Sequence, residues 1–145
     1  MTHSHPIGTH RVTRTGKHSD LIVVGSGVAG LTAALAAADE GASVRLLAAG
    51  SLHSGSSWWA QGGLAAAVGS DDSLAFHEAD TLAVGAALND RTAVSMLVRD
   101  GRERALALLD AGVPFEKSRS GEPLLGLEAG HSHRRILHAG GGATG

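Results

Sequence analysis

Cysteine is absent from all 145 residues, which excludes a disulfide framework, a thiolate metal site and cysteine nucleophilic catalysis. Long apolar runs are lacking too. The strongest, Leu21 to Val24 and Leu31 to Ala38, lie among glycines and fall well short of the ~20 residues that a membrane-spanning helix needs. Charge of one sign does not dominate: 12 basic against 14 acidic side chains leave a net charge of −2, so neither nucleic acid nor membrane is expected as a partner. A hydrophobic content of 43% in a chain about one domain long describes a globular protein, and a cysteine-free sequence is compatible with the reducing cytoplasm.

Acids are missing from the first nineteen residues, which hold four of the nine histidines together with Arg11, Arg14 and Lys17. Residues 1–19 therefore read as a disordered, basic, histidine-rich tail. It has no apolar centre for a secretory signal, and Pro6, Gly8 and Gly16 oppose an amphipathic transit helix. His3, His5 and His10 have a spacing that can chelate a metal, but a flexible polar tail is the favoured reading and no metal site is expected.

From Asp20 the pattern changes. Asp20 to Val24 (DLIVV) is a short β-branched run that predicts a buried parallel strand, and GSGVAG follows at once before an alanine-rich helical stretch to Glu40. Gly41 ends that helix and Ser43 to Leu47 supplies a second strand, which makes one βαβ unit. Ala48 to Val68 reads as loop. Asp71 or Asp72 is placed to cap a helix reaching about Ala87, and Asn89 or Asp90 to cap a longer one reaching Ala111. Val94, Leu97, Val98, Ala105, Leu108 and Leu109 give the longer helix an apolar stripe, a scaffold feature. Beyond Pro114 the pattern is irregular. Two strands and these helices make an incomplete doubly wound α/β fold, with bare strand edges and a one-sided core.

Three segments carry chemistry. Gly25, Ser26, Gly27, Val28, Ala29 and Gly30 form Gly-x-Gly-x-x-Gly between a strand and a helix, where Gly25 permits the turn, Gly27 admits a pyrophosphate and Gly30 lets helix and strand pack closely. The second strand ends in Leu46, Leu47, Ala48 and Ala49, without the carboxylate that holds a nicotinamide dinucleotide's ribose; Arg45 lies inside the strand, so FAD is favoured over NADP. Ser56, Ser57, Trp58, Trp59, Ala60, Gln61, Gly62 and Gly63 (SSWWAQGG) follow at the carboxyl edge of the sheet, where open α/β folds bind ligands. Glu128 to Ala139 (EAGHSHRRILHA) crowds three histidines and two arginines beside one acid, and reads either as a solvated basic patch or as a polar site.

Together these segments resemble the N-terminal part of the L-aspartate oxidase family, flavoproteins of the succinate dehydrogenase and fumarate reductase superfamily, over Asp20 to Gly145. The resemblance implies a Rossmann-like FAD-binding domain, truncated, with residues 20–145 as its N-terminal part. It implies oxidation of L-aspartate to iminoaspartate in the quinolinate branch of NAD biosynthesis, with dioxygen or fumarate as electron acceptor and quinolinate synthase as a partner. Under it Gln61, Gly62 and Gly63 touch the flavin through backbone N–H groups, and Ser56 at the position of a covalently bonding histidine implies non-covalent FAD. Trp58 and Trp59 either fill the core or stack on the ring. Glu128 orients the substrate's amino group; His131, Ser132, His133, Arg134, Arg135 and His138 match the family string without assigned roles. Ala129, Ala49 and Gly142 depart from the pattern, standing where glycine, lysine and aspartate are usual. The alternatives are another flavoprotein of the superfamily, or a non-catalytic FAD-binding piece.

Overall fold

A computed structural model describes residues 18–142 and 144, so most of the expected tail, with His3, His5 and His10, lies outside the described residues. The described residues form two compact units, 18–60 and 61–142 with 144.

In the first unit, β1 (Leu21–Val24), α1 (Val28–Asp39) and β2 (Val44–Leu47) form the expected βαβ unit, with β1 and β2 parallel from Leu21↔Val44 to Val24↔Leu47. Its register is fixed from the start of β1. Asp20 Oδ2 accepts from the Ser43 N–H at 2.8 Å and from the Ser43 hydroxyl at 2.7 Å, and these bonds hold the Asp20 carboxyl below its ordinary value. At the other end the Gly25 N–H donates to the Leu47 carbonyl at 2.8 Å. Helix α1 stops where Gly41 turns left-handed, at φ +87°. The expectation of a buried strand is not met: Ile22 and Val24 of β1 are exposed with Val28 and Leu47, and no α1 side chain is buried, because the faces of the two-stranded sheet are largely uncovered within this chain.

The second unit holds every fully buried apolar side chain among the described residues. Here β3 (Leu64–Ala65), β4 (Leu125–Gly126) and β5 (Ile136–Leu137) form an antiparallel sheet in the order β3-β5-β4, beside α2 (Leu74–Val84) and α3 (Arg91–Asp110). The sheet is a departure from the sequence reading, which left 48–68 and the segment after Pro114 irregular; strands of two residues carry no period that a sequence can show. The core joins Ala66, Ala105 of α3, Phe115 and Leu137 of β5. Of the expected α3 stripe, Val94, Val98 and Ala105 are buried, whereas Leu97 and Leu108 are exposed.

Both helix starts have single-residue outcomes. Asp90 caps α3 by accepting from the Ala93 N–H at 2.9 Å, while Asn89 instead donates to the Thr81 carbonyl at the end of α2. Helix α2 is capped by Ser73 and by neither Asp71 nor Asp72, because the Asp72 carboxylate is engaged by Arg135. It also ends at Val84, three residues before the expected Ala87: Ala86 and Ala87 take left-handed backbone, at φ +47° and +68°.

A Cβ on Gly30 would overlap the Gly25 carbonyl oxygen, so the close approach of α1 to β1 rests on this residue having no side chain. Gly30→Ala is expected to destabilise the βαβ unit by about 1–3 kcal/mol. Trp58 and Trp59, the chain's two tryptophans, lie in the same compact unit as the βαβ elements, so a urea transition followed by their fluorescence should move to lower denaturant. An unmoved midpoint would show that α1 does not pack this tightly.

Candidate functional site

Within the first unit the site begins at the turn from β1 into α1. Gly25 sits at φ +113°, which L side chains rarely adopt, and Gly27 is the N-cap without a side chain to satisfy the first N–H groups. One of these, Val28 N–H, donates to the Ser57 hydroxyl at 3.2 Å. The first turn of α1 holds no acid, so its positive end is uncompensated. A side chain at Gly27 would come within 3.2 Å of Ser57 Oγ, which leaves a narrow floor bounded by backbone and one hydroxyl. These features fit the pyrophosphate of a dinucleotide: an anion there meets helix N–H groups and a hydroxyl, and no carboxylate. Trp58 and Trp59 are 49% and 74% exposed in this chain, and Trp58 tilts against His53 at 4.9 Å.

Within the second unit the segment 128–139 is organised by Arg135, whose side chain is wholly buried. Its Nε and Nη2 donate to the two Asp72 oxygens at 2.8 and 2.9 Å, and its Nη1 donates to Asp80 Oδ2 at 2.8 Å and lies 3.3 Å from His131 Nδ1. This guanidinium is therefore no part of a solvated basic patch. Asp80 Oδ2 also accepts from the Ser132 N–H and hydroxyl, both at 2.8 Å; the backbone bond from Ser132, with further bonds from its hydroxyl and from Arg135, holds Asp80 below its ordinary value. His133 stacks flat on Phe76 at 4.5 Å and contacts the Ser132 hydroxyl at 2.9 Å. Asp80 carried no signal in the sequence, and Asp72 was expected only as a helix cap. No strand alternation could have singled out Arg135, since Ile136 and Leu137, on opposite sides of β5, are both buried.

The same unit brings Glu128 and the Gln61–Gly63 turn to one place, through His138. His138 Nε2 lies 3.1 Å from Glu128 Oε1. A Cβ on Gly126 would come within 2.7 Å of the His138 ring, and one on Gly63 within 3.1 Å of it while overlapping Ile136. Gly63 thus lacks a side chain because β5 and His138 pass over it. The Gly62 N–H, expected at the flavin, donates to the Gly142 carbonyl at 2.8 Å, and Thr144 donates to the Gly62 carbonyl at 3.0 Å. Gly142 has φ +119°, a conformation that disfavours the aspartate usual in the resembled family. Among the described residues no cluster of histidine, aspartate or glutamate has metal-site geometry, and no helix is long and apolar enough to cross a membrane.

A βαβ unit whose glycine turn opens an acid-free helix N-terminus defines a dinucleotide-binding protein. The sequence matches the family described as FAD binding domain over residues 20–145, and the chain belongs to that family, with FAD as its cofactor. Among curated proteins it is 47% identical to an L-aspartate oxidase of Streptomyces coelicolor over 127 residues, covering 88% of this chain and 22% of that protein. It is 48% identical to one of Mycobacterium tuberculosis over 129 residues, covering 88% and 24%. The chain thus spans less than a quarter of the length of these relatives. Among solved structures it resembles a chain of the Sdh1 complex of Mycobacterium smegmatis, with TM-score 0.76 and 28% identity over 87% of this chain and 22% of that one. It also resembles the quinol fumarate reductase of E. coli, with TM-score 0.73 and 30% identity over 82% and 21%.

His77, in α2, is buried with its Nδ1 unpartnered and its ring 5.8 Å from His131. Burial first, then the charge of Arg135, pushes its imidazole below the ordinary value. The unfolded chain then binds a proton near pH 6.5 that the folded chain refuses, so stability falls as pH drops through and below that point. In His77→Leu the loss of unfolding free energy between pH 7 and 5.5 should be shallower than in the wild type. An equal slope in urea titrations would show that His77 titrates alike in both states.

Proposed function

We propose that this chain supplies the FAD-binding part of an L-aspartate oxidase, and that residues 20–145 belong to the FAD-binding domain. Support comes from 44–48% identity to proteins of that name, against 28–30% to the succinate dehydrogenase and fumarate reductase chains of the same architecture. The observation that carries the reading is Glu128, a carboxylate held by His138 beside the Gly63 turn.

In this reading Gly25, Ser26, Gly27, Val28, Ala29 and Gly30 with Ser57 hold the FAD pyrophosphate at the α1 N-terminus. Ser56, Trp58, Trp59 and Ala60 line the approach, and Gln61 with Gly63 borders the ring. Ser56 offers no imidazole for a covalent bond, so FAD binds non-covalently. Bound FAD supplies a two-electron acceptor for hydride from the substrate's α-carbon. The chain's own contribution is orientation: Glu128 pairs with the ammonium of L-aspartate, which is a charge-assisted hydrogen bond that succinate cannot make. Dioxygen or fumarate would take the electrons, and the product imine would pass to quinolinate synthase in the cytoplasm.

The alternative is a succinate- or fumarate-directed flavoprotein, favoured only by the likeness of fold. Anaerobic mixing of the FAD-loaded enzyme with L-aspartate should bleach the flavin absorbance, and succinate should not. Bleaching by succinate alone would reject the proposal.

A further inference from the structure

We propose that His138 is a positioning residue for substrate, acting through Glu128; this rests on the assignment of Glu128 above. A glutamate side chain 52% exposed has several rotamers open to it, and ordering it requires a partner that is itself immobile. His138 meets that condition. It follows directly on β5, whose Ile136 and Leu137 are buried, and its own carbonyl accepts from the Glu116 N–H at 2.8 Å. Its ring lies over two glycines, Gly126 of β4 and Gly63 just before β3, on the strands that flank β5. Alanine at Gly126 would bring its Cβ within 2.7 Å of the ring, and at Gly63 would overlap β5 itself, so the sheet leaves a slot of one imidazole's thickness.

A carboxylate only accepts, so Nε2 bears the proton and donates to Glu128 Oε1. Glu128 Oε2 has no hydrogen-bond partner among the described residues. The loop carrying Glu128 is pinned separately. Ser132 is bonded to Asp80, Gly130 turns at φ +87° against Val84, and the His131 N–H reaches the Glu128 carbonyl at 3.2 Å. Backbone and side chain are thus fixed by different partners, which leaves one carboxylate oxygen available to an ammonium group.

Steady-state kinetics of the FAD-loaded enzyme test this with His138→Leu, His138→Gln, Glu128→Gln and the Leu/Gln double variant. Loss of one charge-assisted bond predicts a kcat/KM for L-aspartate lowered about tenfold in His138→Leu, mainly through KM. His138→Gln, which keeps a donor near the Nε2 position, should recover to within about threefold. Inhibition by succinate, a dicarboxylate without an amino group, should be unchanged in both. On the Glu128→Gln background, His138→Leu should add little. If Glu128→Gln itself leaves KM for L-aspartate unchanged, the assignment of Glu128 fails. If Glu128→Gln costs affinity but His138→Leu does not, or if the two losses add in full, the role of His138 fails. Independently of turnover, long-range proton–nitrogen spectra of this chain should show His138 protonated at Nε2, with a shift in Glu128→Gln; an unprotonated Nε2 would overturn the proposal.

Discussion

The unit formed by residues 61–144 depends on one buried guanidinium. Arg135 holds both oxygens of Asp72, at the start of α2, and reaches Asp80 one helix face further on, while its backbone joins β3 to β4: the Ala66 N–H donates to its carbonyl and its own N–H donates to Gly126. One residue thereby couples a helix, three strands and the 128–134 loop. Buried ion clusters contribute little net stability compared with apolar packing of the same volume, but removing one partner costs about 3–5 kcal/mol. What the cluster provides is therefore placement, because alternative packings of this small sheet would leave a charge buried without its partner.

That placement explains how two short motifs far apart in sequence meet. Asp80 anchors Ser132, Arg135 anchors β5, and β5 delivers His138 to the slot over Gly63 and Gly126. In the other unit the same economy of means appears differently: Asp20 and Ser43 fix the strand register, and three glycines shape the turn on which α1 begins. The match to the FAD binding domain family runs through both units.

The βαβ unit was legible almost residue by residue, since a β-branched run, a glycine turn and an alanine-rich helix are local signals. Asp90 as one of two cap candidates was legible for the same reason. The three-stranded sheet was not, because strands of two residues carry no period and one pairing, Ala65 with Ile136, joins residues 71 positions apart. Nor did the sequence separate Arg134 from Arg135, because Ile136 and Leu137, on opposite sides of the strand, are both buried. Asp72 looked like a helix cap and proved to be a counter-ion, because the cap needs only a hydroxyl, which Ser73 supplies, whereas a buried guanidinium needs a carboxylate. The glycines of the Gln61–Gly63 turn signalled close approach of a ligand or of backbone, and at Gly63 the protein's own strand β5 makes such an approach.

The central claim is that the ion cluster places the loop bearing Glu128. Its most direct test is hydrogen exchange in Asp80→Ala, which removes both bonds to Ser132 and leaves Arg135 neutralised by Asp72. Amides of His131 and Ser132 should exchange at least about tenfold faster, while those of α3 around Val98 and Ala105 keep their protection. Unchanged exchange at Ser132, or an equal acceleration throughout α3, would contradict the account.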